Sequence, residues 1–193
     1  MFRNSPPNGD FVWAKAFVST STTDPYSMMT SRGIEIDSKG NIITTGWFNG
    51  SFDFDPGAGV KSVASASHDD CYILKLTADG NLIWVETIGA DSYDGGNDLA
   101  LDSDDNIYIC GSFGPSVDYD PGPGDHTVVS PGYGPAAIIK LNSDGGFIYA
   151  ALFDYLFCRR LVVDDALNVY TTGSFSSVDF DPGPDVYNIY LTD

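Results

Sequence analysis

Three stretches of this chain are near copies of one another. "GIEIDSKGNIITTGWF" (33–48), "DLALDSDDNIYICGSF" (98–113) and "RLVVDDALNVYTTGSF" (160–175) align end to end, with Gly46, Gly111 and Gly173 in one column. Those glycines lie 65 and 62 residues apart. A second block repeats beside the first. "CYILKLTADGNLIWVETI" (71–88) matches "AAIIKLNSDGGFIYAALF" (136–153), and "NGDFVWAKAF" (8–17) matches the end of that block. Such a period marks a fold of stacked supersecondary units and constrains the architecture more than any single residue does.

Each unit holds four strand-like runs, termed A to D. In the first unit they are Gly33–Asp37, Asn41–Phe48, Cys71–Thr77 and Asn81–Ile88. Ile, Val, Tyr and Trp dominate them, with partial period-two alternation. The A–B and C–D links, "DSKGN", "DSDDN", "TADGN" and "NSDGG", are short and rich in Asp, Asn and Gly. Such links close β-hairpins because Gly and Asn tolerate positive φ. No helical period is sustained. The pattern predicts an all-β chain, a β-propeller of four-stranded antiparallel blades.

One domain, 1–193, then divides into repeat units at approximately 8–17 (a D strand only), 31–89, 96–154 and an incomplete 158–193. "VYNIYLTD" (186–193) resembles "CYILKLTAD" and reads as a C run. The chain would start on an outer D strand, end after A, B and C, and hold about three blades' worth of strands. Closed propellers use about four to eight blades. Two expectations stay open: a fragment of a longer propeller, or a head-to-tail homodimer whose complementary ends close a six-bladed ring.

The succession "GIEIDSKGNIITTGWF", "FDFDPG", "CYILKLTADGNLIWVETIG" resembles the bacterial β-propeller repeat of SBBP type, from about Asn8 to Asp193. The resemblance implies a repeat module with no assigned catalysis, in extracellular or cell-surface bacterial proteins. The start, "MFRNSPPNGDFVW", shows no signal peptide.

Charge narrows the partners. Lys plus Arg number 9 against 27 Asp plus Glu, a net charge of -18. Phosphate backbones need clustered cations, so nucleic acid is excluded, and an anionic membrane surface with it. No apolar run is long enough for membrane insertion. Cys71, Cys110 and Cys158 lack metal-type spacing and read as small core residues.

The motif "SFDFDPGAG" (51–59) recurs as "SVDYDPGPG" (116–124) and "SVDFDPGPD" (177–185). Its aspartates, Asp53, Asp55, Asp118, Asp120, Asp179 and Asp181, offer two readings. One is calcium, which takes about 6–8 oxygen ligands. The other is structural: Asp-Pro-Gly makes a turn in which Asp caps N–H groups, Pro presets φ and Gly takes positive φ. Turn chemistry accounts for the second aspartate of each pair. Asp53, Asp118 and Asp179 are left to cap a neighbouring strand or blade. The long loops 57–70 and 122–135 carry the two histidines, His68 and His126, and are candidate binding loops. The third unit is read as shortening this loop. Trp13, Trp84 and Tyr149 share one position of the D run and are expected to bury against the next blade. "GYGPAA" (132–137) has the form G-x-G-x-x-A, but a strand rather than a helix is expected after it.

The reading is a non-catalytic propeller module, a structural or binding scaffold for protein or carbohydrate, without cofactor. Two alternatives remain: a carbohydrate-active hydrolase or lyase, and a calcium-stabilised adhesion module. An enzyme would carry a carboxylate cluster unique to one repeat.

Overall fold

The computed structural model describes residues 2–4, 9–21, 26–130, 134–153, 156–175, 177–179, 181 and 187–190. All regular structure among them is β, in antiparallel sheets, and no helix is present that could cross a membrane. Two full units form four-stranded meanders. The first is β4 (Met28–Ile36), β5 (Ile42–Asn49), β8 (Asp70–Leu76) and β9 (Leu82–Ile88). The second is β10 (Gly95–Leu101), β11 (Ile107–Ser112), β14 (Ala136–Leu141) and β15 (Phe147–Phe153). These are the A, B, C and D runs in order. A third unit supplies A and B only, β16 (Leu156–Val163) paired with β17 (Val169–Phe175).

The chain ends correct two sequence expectations. Before the first unit, β1 (Phe2–Asn4) pairs with β2 (Trp13–Lys15), so this segment is a hairpin and not a lone D strand. Its Gly9 (φ 83) takes the left-handed conformation of Gly80 (φ 73) and Gly145 (φ 89) in the C–D turns. At the other end, β19 (Asn188–Tyr190) pairs with β18 (Ser177–Asp179) and is not a C strand. The same pairing joins β6 (Ser51–Asp53) to β7 (Ser62–Ala64) and β12 (Ser116–Asp118) to β13 (Thr127–Val129). Asn188 lies opposite Asp179 as Ser62 lies opposite Asp53, so the third loop is not shortened. The strand order is thus C–D, A–B–C–D, A–B–C–D, A–B, with an outer hairpin after each B strand. In the first unit β3 (Val18–Ser19) adds a third strand to that hairpin.

The A–B turns follow from one aspartate each. Asp37 Oδ1 accepts N–H groups from Lys39 (3.0 Å) and Asn41 (2.7 Å), while its Oδ2 accepts the Asn41 amide (2.9 Å). Asp102 and Asp164 repeat the pattern with Asn106 and Asn168. Such side-chain caps mimic a backbone turn. The left-handed residue of each turn is Gly40, Asp105 or Leu167.

Both faces of each full sheet are covered, so the C strands read as mainly apolar runs, interrupted by Lys75 and Lys140, rather than as alternating ones. Along β8, Cys71 and Ile73 enter a core shared with Leu99, Ile107, Ile109 and Ile139 of the second sheet. Tyr72, Leu74 and Leu76 turn the other way, toward Phe48, Phe54, Trp13 and Phe17. Cys110 and Cys158 lie in a third cluster, between the second sheet and β16. All three cysteines are buried and unbonded, as their reading as core residues expects.

The A strands carry one further shared feature. Each has a one-residue register shift against its B strand: at Arg32 in β4, at Asn97 in β10 and at Arg159 in β16. Opposite each bulge stands the repeated glycine. A Cβ on Gly46 would overlap the Thr30 carbonyl oxygen, on Gly111 that of Gly95, and on Gly173 that of Phe157. The glycine column of the sequence is therefore the mark of a bulge.

Candidate functional site

The Asp-Pro-Gly loops are closed by their own carboxylates. Asp53 Oδ1 accepts N–H groups from Asp55 (3.0 Å) and Lys61 (2.8 Å), tying the two ends of the loop together. Asp118 Oδ1 does the same with Asp120 (3.0 Å) and His126 (2.8 Å). The second aspartates each accept one N–H at 2.8 Å, Asp55 from Gly57 and Asp120 from Gly122. Phe52, Phe54, Val117 and Tyr119, which alternate with these aspartates, are buried and anchor the hairpins. Phe54 meets Phe48 at 5.2 Å and Tyr119 meets Phe113 at 5.3 Å, in matching edge-on geometry.

One detail departs from the expected turn. Gly57 and Gly122 do not have positive φ. Their neighbours Gly59 and Gly124 are required for closeness instead, since a Cβ there would overlap Asp55 Oδ2 or Asp120 Oδ2. Asp179 falls in β18, Asp181 is half-buried, and residues 182–186 lie outside the described residues. No group of three or more His, Cys, Asp or Glu side chains suited to a metal occurs among the described residues.

The histidines occupy unrelated places. His126 follows Asp125 in the outer hairpin, its ring 4.7 Å from Phe147. His68 precedes β8, with its Nδ1 3.0 Å from Ser67 Oγ and its ring edge-on to Tyr93 at 4.8 Å. Trp13 packs over Gly80 and donates to the Ala78 carbonyl (3.3 Å); Trp84 packs over Gly145 of the second unit. Both cover the C–D turn of the following unit, while Tyr149 is 38% exposed. Of "GYGPAA", residues 132 and 133 lie outside the described residues, and Ala136 opens strand β14.

Carboxylates unique to one repeat do exist. Asp70 stands where the second unit has Pro135, and Asp94 has no counterpart. Burial pushes the Asp70 carboxyl up to about 6, and burial likewise raises Asp94. Both are spent on backbone. Asp70 Oδ2 accepts the Ala66 N–H (2.9 Å), and Asp94 accepts those of Ala90 (2.9 Å) and Gly114 (2.6 Å). Asp70 is 5% exposed, while Asp94, 1% exposed, stands in the wall of a cavity together with Arg32 and Asn97.

A cavity of about 490 Å³ opens between the A strands and is lined by Arg32, Asn97, Phe157, Arg159, Arg160 and Thr172. Its three bulge residues come from three consecutive units. Arg32 Nη1 donates to Asn97 Oδ1, and Asn97 Nδ2 donates to the Cys158 carbonyl (2.8 Å), a relay across β4, β10 and β16. Arg160 pairs with Asp98 at 3.4 Å, and Arg159 lies over the Phe157 ring at 5.3 Å. Among the described residues neither Arg32 nor Arg159 meets a carboxylate. A second cavity, about 220 Å³, shares Arg32, Asn97 and Phe157 and adds Trp47 and Tyr93. Sequence reasoning passed over this site. Its signal was a polar residue immediately before each A run, hidden because the three residues are not alike.

No family model matches the chain. Over 94 residues, 42% of its length, the chain is 27% identical to an uncharacterized WD repeat-containing protein of Acanthamoeba polyphaga mimivirus. It spans 7% of that protein's length. At this level the comparison supports a repeat-built β architecture.

Proposed function

We propose that this chain is a non-catalytic β-propeller repeat module, of the SBBP-like kind its motifs resemble, serving as a binding scaffold. The observation that carries this reading is the placement of β10 against both β4 and β16, which sets the A strands of three units side by side. Four-stranded meanders packed face to face around their A strands are the geometry of propeller blades. The WD-repeat likeness supports the same architecture and a role in protein interaction.

Two sheet edges extend the proposal. β17 has no C strand beside it among the described residues, and β1–β2 is a C–D hairpin without an A–B partner. The hairpin of a second copy, laid against β17, would complete a fourth-stranded sheet, and two copies would close a six-bladed ring. Native mass measurement at micromolar concentration is expected to give twice the 20.7 kDa chain mass. A single-chain mass together with rapid amide exchange along β17 would remove the ring from the reading.

The reading gives calcium no role: Oδ1 of Asp53 and of Asp118 each accepts two N–H groups and closes the loop without a metal. The melting midpoint should be the same in calcium and in chelator. A calcium-dependent rise would restore the adhesion-module alternative, since a ligand of the native state raises stability.

A further inference from the structure

The geometry points to an oxyanion-binding site at the bulges of the A strands, suited to a small molecule carrying a carboxylate or phosphate group. It rests on the scaffold reading and gives that scaffold a ligand class.

The chain holds 27 acidic residues against 9 basic ones. Lys75, Lys140 and Arg160 each pair with a carboxylate. Arg32 and Arg159 instead face one cavity with the amide of Asn97. Asn97 is 6% exposed and is oriented by its bond to the Cys158 carbonyl. Its Oδ1 receives Arg32, which turns that guanidinium toward the cavity. Phe157 supports Arg159 from one side of its plane. Guanidinium groups match carboxylate and phosphate oxygens in a two-pronged fashion that ammonium groups do not.

The bulge explains why these three residues converge. A bulged residue leaves the in-and-out alternation of its strand and is re-aimed. Three consecutive bulges on neighbouring A strands thus send three side chains toward one place. The cavity falls in the size range of small-molecule pockets, about 300–1,000 Å³. Trp47 and Tyr93 line the adjoining cavity together with Asp69 and Asp94, so the anionic group would sit at Arg32 and Arg159 and away from those carboxylates.

Calorimetric titration of the purified chain at pH 7 with inorganic phosphate, and separately with benzoate, tests this. Saturable binding of at least one probe is expected. Phosphate alone would mark a phosphate ester site, and tighter benzoate binding a site for aromatic carboxylates. Arg159→Gln and Arg32→Gln should each weaken binding about tenfold or more, and the pair should abolish it. Lys39→Gln, an equal charge change on an exposed A–B turn, should leave it intact. Melting curves show whether each variant folds; if Arg32→Gln does not, Arg159→Gln decides alone. No saturation with either probe up to about 10 mM, or loss with Lys39→Gln equal to that with Arg159→Gln, overturns the site. A null titration with the native mass still doubled would remove the ligand and leave the scaffold reading standing.

Discussion

The first two A–B turns and the third are built from the same hydrogen bonds and differ in what covers them. In the first, Lys75 from the C strand reaches Asp37 at 3.0 Å, with side-chain exposures of 7% and 1%. In the second, Lys140 reaches Asp102 at 3.1 Å and lies 4.5 Å from the centre of the Tyr108 ring. The third has no C strand among the described residues. Asp164 keeps only its turn bonds and a hydroxyl from Tyr170 at 3.1 Å. The turn therefore forms from local chemistry alone. The C strand adds a buried ion pair on top of it, and Lys75 also donates to the Ser143 carbonyl (2.9 Å), joining the first unit to the second. Local bonds make the turn, and Lys75 fastens the first unit to the second.

The largest test of that contrast is at the bulge. Gly46→Ala forces a methyl group onto the Thr30 carbonyl in a strand held on both sides, and should cost about 3 kcal/mol or more. A fall of about 6–12 °C in the melting midpoint is the expected reading. Gly173→Ala makes the same clash in β17, beside which no C strand stands among the described residues; in a single chain it should lower the midpoint by less than half as much, and in the two-copy ring by a comparable amount. Equal effects would mean that β17 is as confined as β5.

Next comes the ion pair. Lys75→Met leaves Asp37 buried with its turn bonds alone and should cost about 3 kcal/mol, while Asp164→Ala should move the midpoint far less. Burial alone would raise the Asp37 carboxyl, but the bonds from Asn41 and Lys75 outweigh it and bring it down to about 2. The unfolded chain binds that proton more tightly. The stabilisation is therefore complete above about pH 4 and is lost as the pH falls through about 2.

Asp70 separates the first unit from the second in the opposite sense. One of its oxygens, Oδ1, is buried without a partner, and the folded carboxyl sits near 6. Here the folded chain holds the proton more tightly, so this group's contribution falls as pH rises from about 4 to about 6. Asp70→Asn should raise the midpoint at pH 7 by a few degrees and remove that part of the slope. An unchanged pH profile would place the ionised carboxylate in a more favourable setting than its burial implies.

The smallest expected effect is at Leu167, a branched side chain held at φ 65 where the first unit has Gly40. Leu167→Gly should relieve about 1 kcal/mol. Slower amide exchange in β16 and β17 would report it more directly than the melt.

The repeat, the strand order within each full unit and the hairpin turns were all legible in the sequence, because local hydrogen-bonding chemistry and strand-forming side chains agree there. The aspartate clasp was half legible. Turn chemistry explained Asp55, while the role of Asp53 depends on Lys61 N–H arriving from the far side of the loop. The ends misled for a physical reason. "VYNIYLTD" shares the aromatic and branched residues of a C strand, and composition cannot tell which strand lies beside it. The equal separations of Asp53 from Ser62, Asp118 from Thr127 and Asp179 from Asn188 were the better guide. The cavity was invisible because a bulge changes direction without changing composition.

That bulge also divides labour along the chain. Positions facing a core are bound by volume, and the glycine opposite is bound by a carbonyl oxygen. Arg32 and Arg159 answer to neither constraint, while Asn97 is held by its bond to the Cys158 carbonyl. The first and third units so carry a residue that can be rewritten without disturbing the sheet that displays it. A chain made by duplicating a unit could acquire a new specificity by changing single letters, one per copy, on a scaffold that stays the same.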